Sequence, residues 1–235
     1  MIRIGITTSF EHGEQQLRHD YVRAVEDAGG VPLIAPMGGK HTMHSFANLL
    51  DGLIVTGGPA ITEEMIGELP GDIEEPDPVR ASSDILLLRA CLSMRRPVLG
   101  ICYGMQLLNA LYGGSIYADV QRDMADCLVH SDKRGASDHT IELGKDSHLR
   151  DILGVRNLLV NTRHIQAVAR VAPFFRIAAR APDGVVEAIE NEDATILGVQ
   201  FHAERMGEIM QPLFKHFVGQ ADLAKQKRKD PIHAA

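Results

Sequence analysis

The alternation in the first hundred residues limits the fold most. Short apolar, β-branched runs are separated by segments with helical periodicity. "IRIGIT" (2–7), "VPLIAP" (31–36), "DGLIVTGG" (51–58) and "PVLGI" (97–101) read as strands. Between them, helices are expected over 15–30, 43–50 and 77–96, the first with Leu17, Tyr21, Val25 and Ala28 on one face and a Gly29-Gly30 stop. Strands joined by helical crossovers make a parallel sheet covered on both faces, so the expected class is α/β with a mostly parallel central sheet flanked by helices.

The second half is richer in strands, expected at 139–143, 155–161, 175–181, 184–190 and 195–201. "DG" at 183–184 and "NED" at 191–193 mark turns between the last three, and a closing helix is expected over 208–220. The acidic segment 62–77, which leaves the Gly57-Gly58 turn, shows the least regular pattern. The organisation is read as one domain over 1–220 and a polar tail over 221–235, with "KQKRK" (225–229) as a solvated basic run.

Composition narrows the partners. A net charge of −7 over 235 residues argues against a phosphate-binding face for nucleic acid. No stretch has the length of a membrane span, and the start reads straight into a strand, not a leader. Cys91, Cys102 and Cys127 are too few for a disulfide framework, and there is no CxxC pair. A reducing cytoplasm is therefore expected, with no metal and no organic cofactor.

Residues 100–104, Gly-Ile-Cys-Tyr-Gly, have the G-x-nucleophile-x-G form of a strand-to-helix elbow. Glycines flank the apex because a sharp turn leaves no room for β-carbons there. A thiol at the first turn of a helix sits in partial positive charge, which favours the attacking thiolate, and the Tyr103 N–H points where an oxyanion would form. Ordinary β–α turns also carry small residues between glycines, so the pattern alone leaves both readings open. "GVQFHAE" (198–204) offers His202 and Glu204 two apart at a strand exit, on one side of the chain. Glu204 could hold the imidazole while His202 faces the cysteine, though a surface His–Glu pair fits the spacing too.

"PVLGICYGMQLLNALYGGS" with "GVQFHAE" about a hundred residues later resembles a class I glutamine amidotransferase domain. "YVRAVEDAGGVPLIAP", "DPVRASSDILLLRA" and "VNTRHIQAV" are similar to the C26 peptidase-like branch, which includes γ-glutamyl-γ-aminobutyrate hydrolase. The resemblance implies a flavodoxin-like sheet with a small β-rich addition and a catalytic triad of Cys102, His202 and Glu204. It also implies an oxyanion hole from the N–H groups of Gly58 and Tyr103, and pocket positions at Gly57, Gln106 and His164. The implied reaction is hydrolysis of a γ-glutamyl amide through a thioester. The alternatives are a glutaminase subunit that feeds ammonia to a separate synthetase, and a catalytically silent binding relative. The expected partners are a small γ-glutamyl substrate and a second copy of the chain, or a synthetase under the first alternative, with neither nucleic acid nor membrane.

Four positions depart from that branch. Tyr103 stands where arginine usually follows the cysteine, Ala203 replaces a proline, "GGPAITE" replaces "GGGDVNP", and Arg80-Ala81 replaces an Arg-Asp pair. Ala203 is expected to loosen the backbone between His202 and Glu204. The acids Glu63, Glu64, Glu68, Asp72, Glu74, Glu75 and Asp77 are expected near the pocket, as a solvated loop or as a wall for a cationic leaving group. His130 and His139 flank a loop expected over the site, within reach of substrate, whereas His41 and His44 read as a surface helix end.

Overall fold

A computed structural model describes residues 1–229. Its centre is a nine-stranded sheet ordered 157–160, 139–143, 176–180, 186–190, 196–199, 98–101, 52–55, 2–6, 30–34. The last five strands in that order run parallel. The first four add an antiparallel extension, which is the form the β-rich second half takes.

The parallel strands are apolar on both sides because both faces are covered. Leu53 and Val55 point into one core with the helices Lys40–Leu49, Pro78–Ser93 and Tyr103–Leu111. Ile54, Leu99 and Ile101 point into the other, with helices His19–Asp27 and Gln211–Lys229. The helix Pro78–Ser93 starts as "DP" dictates: proline occupies the first turn, and the Asp77 carboxylate accepts from the Val79 N–H at 2.8 Å.

Several boundaries differ from the expectation. The helix expected from residue 15 starts at His19, because 9–16 form a hairpin of Ser9–Glu11 with Glu14–Gln16. His12 (φ 53°) and Gly13 (φ 81°) make its two-residue turn, a geometry that needs positive φ at both positions. The acidic segment is more ordered than its pattern suggests. Met65–Ile66 pairs with Ser115–Tyr117, which also pairs with Ala167–Arg170 in a second, three-stranded sheet. The helix His148–Leu153 lies outside the expected elements, although Ser147 caps it and Gly154 (φ 68°) ends it.

The closing helix runs through the expected tail to Lys229, and 230–235 lie outside the described residues. Lys225 and Arg228 of the basic run are docked, not solvated. They reach the buried Asp51 carboxylate at 2.8 and 2.9 Å, and Asp51 also accepts from the Arg3 N–H at 3.0 Å. No described helix is long and apolar enough to cross a membrane.

Candidate active site

Three parallel strands deliver the candidate residues to one sheet edge. Thr56-Gly57-Gly58 follows strand 52–55, Cys102 follows 98–101, and His202 follows 196–199. Open α/β sheets bind ligands beyond the carboxyl ends of their strands, and a cavity of about 980 Å³ lies there. Gly57, Gly58, Arg80, Cys102, Gln106 and His202 all line it.

Cys102 has φ 53° and ψ −107°, a conformation that costs a non-glycine residue about 1–3 kcal/mol. Both flanking glycines are required. A β-carbon on Gly100 would lie 2.6–2.7 Å from the Gly104 and Met105 backbone, and one on Gly104 would lie 2.2 Å from the Val55 carbonyl oxygen. The Cys102 N–H donates to the Val199 carbonyl at 2.8 Å, tying the elbow to the strand that leads to His202. The cysteine is 6% exposed, and Gln200 Nε2 lies 3.5 Å from its Sγ.

His202 Nδ1 and Glu204 Oε1 are 2.7 Å apart, so Nδ1–H donates to the carboxylate and Nε2 is left for another partner. Burial disfavours the imidazolium, but Cys102 and Glu204 outweigh it and raise His202 to about 9. Ala203 does not loosen this turn. The Asn161 side chain clamps both sides of the His202 backbone, its Oδ1 accepting from the N–H at 2.9 Å and its Nδ2 donating to the carbonyl at 3.0 Å. Asn161 lies in the "VNTRHIQAV" segment, but nothing in that pattern points to this clamp.

Gly57 is glycine because of His202. A β-carbon there would lie 2.5 Å from His202 Cε1. Its N–H donates to the Tyr21 hydroxyl at 3.0 Å. Tyr21 reads as a core position, but its hydroxyl also sits in the field of Glu204; burial first, then that carboxylate, pushes its pKa well above the usual value. Among the described residues, neither the Gly58 nor the Tyr103 N–H has a hydrogen-bond partner. Both remain free to meet an oxyanion.

Arg80 explains the departures around Tyr103. The guanidinium is 1% exposed and packs 4.8 Å from the Tyr103 ring centroid, a cation–π contact where the branch has a second arginine. Its Nη2 donates to the Gly57 carbonyl at 2.7 Å, and its Nε lies 3.3 Å from Asp84. Burial lifts Asp84 to about 6 despite that cation. Arg80 thus holds the Gly57-Gly58 turn from behind and leaves no room for a side chain at Gly58.

The expected pocket positions behave differently. Gln106 and His164 line the cavity, but Gln106 Nε2 and His164 Nδ1 bond to protein. Gln106 Nε2 donates to Gln200 Oε1 and the Gln166 carbonyl at 3.0 and 2.9 Å, and His164 Nδ1 donates to that same carbonyl at 2.9 Å. His130 and His139 are not part of the cavity wall; they turn toward Glu187. Of the acidic segment, Asp72, Glu74, Glu75 and Asp77 reach the wall. Asp72 is bound by Arg134 and Asp77 caps a helix, while Arg18, Lys133 and Arg163 line the same mouth, so the wall is mixed in charge.

Comparison with known proteins agrees with this architecture. A putative GMP synthase subunit from Thermoplasma acidophilum superposes with a TM-score of 0.70 at 19% identity, over 98% of each chain. "Protein NtpR" of Enterococcus hirae is 32% identical over 84% of this chain and 86% of its own. A γ-glutamyl-γ-aminobutyrate hydrolase of Escherichia coli O157:H7 is 30% identical over 82% and 80%, and a putative glutamine amidotransferase of Schizosaccharomyces pombe is 30% identical over 93% and 86%. The profile of the Peptidase C26 family matches residues 3–204, from the first strand through Glu204, and the chain belongs to that family.

Proposed function

We propose that the chain is a cysteine-dependent hydrolase of γ-glutamyl amides. The observation that carries this is the strained Cys102 at the elbow, facing the mouth shared with a His202 already oriented by Glu204 at 2.7 Å. The Cys102 thiolate attacks the side-chain carbonyl of the substrate. The Gly58 and Tyr103 N–H groups receive the oxyanion, each worth about 3 kcal/mol in the transition state. His202 gives its proton to the departing amine, and the C–N bond breaks to leave a γ-glutamyl thioester. His202 then takes a proton from water, which attacks the thioester and releases glutamate and the free thiol. Glu204 stabilises the imidazolium in both halves.

The cavity supports a substituted amide over glutamine alone. At about 980 Å³ it is at the upper end of the roughly 300–1,000 Å³ typical of small-molecule sites. The mixed charge of its mouth suits a zwitterionic or carboxylated leaving amine as well as a cationic one.

Single-turnover amine release from a panel of γ-glutamyl amides, glutamine included, tests the proposal with wild type and Cys102→Ala. Release from substituted amides, abolished by the substitution, is the expected result. Glutamine turnover that appears only when a synthetase is added would instead favour an ammonia-supplying subunit, the reading suggested by the name of the Thermoplasma protein. Silence throughout would favour a binding role.

A further inference from the structure

Beneath the cavity wall, four residues from separate segments converge in a buried cluster that the proposed hydrolysis does not use. His139 Nε2, His130 Nδ1 and His164 Nε2 lie 3.2, 3.6 and 3.6 Å from a single oxygen, Glu187 Oε1. Glu187 and His130 are fully buried and His164 is 5% exposed. The other Glu187 oxygen, Oε2, has no hydrogen-bond partner, and neither has His164 Nε2.

The hydrogen bonds on the far side of two rings fix which nitrogens carry protons. His164 Nδ1 lies 2.9 Å from the Gln166 carbonyl, which can only accept, so Nδ1 holds the proton. His130 Nε2 lies 2.9 Å from Asp183 Oδ2, so it too donates outward. In the neutral rings, His130 Nδ1 and His164 Nε2 are therefore lone pairs aimed at a carboxylate oxygen. The Thr162 hydroxyl does not satisfy His130 Nδ1, 3.3 Å away, because it donates to the His130 carbonyl at 2.8 Å. Lone pairs converging on a buried carboxylate repel unless a proton or a metal ion lies between them.

We propose that His130, His139 and Glu187 bind one divalent transition metal ion of the zinc type, with His164 Nε2 facing the same Glu187 oxygen. The donor set of imidazoles with one carboxylate matches that choice. Ligands at about 2.0–2.1 Å around a tetrahedral ion stand roughly 3.3–3.4 Å apart, and the His139 and His130 distances to Glu187 Oε1, 3.2 and 3.6 Å, bracket that value. One ligand atom each from His130, His139 and Glu187 already falls within 4.8 Å of the others. Asp183 behind His130 is the kind of outer partner that orients a metal-bound imidazole. Three ligands from separate segments would pin the loop carrying His130 to strands 139–143 and 186–190. The Gln166 carbonyl that accepts from His164 also receives Gln106 Nε2, and Gln106 meets Gln200, the neighbour of the Cys102 thiol. The ion would thus stiffen the wall behind the nucleophile without touching substrate.

The test uses the full chain with Cys102→Ser, so that the nucleophile cannot act as a ligand, stripped of metal with a chelator. Cobalt(II) is titrated and read by its visible ligand-field absorption, followed by displacement with zinc. One equivalent of cobalt without a thiolate charge-transfer band, displaced by zinc with a rise in melting temperature, is expected. Glu187→Gln and His139→Gln should each weaken binding about 100-fold or more. His139 is the least buried member, so its variant carries the test if Glu187→Gln fails to fold, with circular dichroism of the metal-free form as the check. Absence of stoichiometric binding, or binding indifferent to His139→Gln, would overturn the proposal. So would a thiolate band, since it would place the ion at Cys127, His130 and Asp183 instead. None of these readouts depends on hydrolysis, so failure here and failure of the proposed activity are separately visible.

Discussion

Substituting Gly57 with alanine tests the active-site geometry most directly. The added β-carbon would lie 2.5 Å from His202 Cε1, about 1 Å short of ordinary van der Waals contact. The Gly57-Gly58 turn cannot yield easily, because Tyr21 holds the Gly57 N–H and Arg80 holds its carbonyl. The imidazole must therefore move by about 1 Å, rotating against its 2.7 Å bond to Glu204. A misplacement of that size costs about 100-fold in rate, or roughly 2.7 kcal/mol of transition-state stabilisation. Since φ at Gly57 is not positive, alanine adds no backbone strain, and the melting temperature should change little. We expect kcat on a γ-glutamyl amide to fall about 100-fold with KM nearly unchanged. Alkylation of Cys102 by iodoacetamide should also be slower than in the wild type, a readout independent of substrate. Wild-type kcat and an unchanged alkylation profile in a folded Gly57→Ala protein would refute the claim that His202 acts from its observed position.

Three further outcomes follow from the same geometry. His202 is raised from 6.5 to about 9, so the folded state binds a proton there that the unfolded state has lost; this contribution is complete below 6.5 and disappears as pH rises through about 9. Melting temperature should decline across that window, and His202→Asn should flatten the decline. Asn161→Ala removes two hydrogen bonds to the His202 backbone and should reduce kcat by about 10-fold or more, at about 1 kcal/mol per bond, with little change in KM. Asp51→Asn should destabilise the protein by about 2–3 kcal/mol, seen as a lower denaturation midpoint, because Lys225 and Arg228 both lose a buried anionic partner.

The legible parts of this fold are those decided by neighbours in sequence. The elbow can be read because Gly100 and Gly104 meet backbone within a few residues or on the adjacent strand, and the long helix announces itself through Asp77-Pro78. The unread parts are decided at a distance. Tyr21 occupies a core position on its helix, and only its hydroxyl, at the end of a long ring, reaches Gly57. Asn161 meets His202 across 41 residues, and Arg80 meets Gly57 across 23. The histidine cluster gathers positions 130, 139, 164 and 187, which share no ligand-pair spacing. Some differences trace to local signals that hydrophobic periodicity overlooks: the His12-Gly13 turn, and Ser147 with Gly154 around a six-residue helix.

The sheet also has a consequence for biosynthesis. Strand 98–101, which carries the elbow, pairs with 52–55 on one side and with 196–199 on the other, so its second neighbour lies nearly a hundred residues downstream. The antiparallel strands between 139 and 190 lie inside that loop, and such distant pairings form late. A chain emerging from the ribosome can build four parallel strands and present Cys102 long before residue 202 is synthesised. Until then the thiol has no imidazole beside it. Under the proposed mechanism, the base that Cys102 needs arrives only with the last parallel strand.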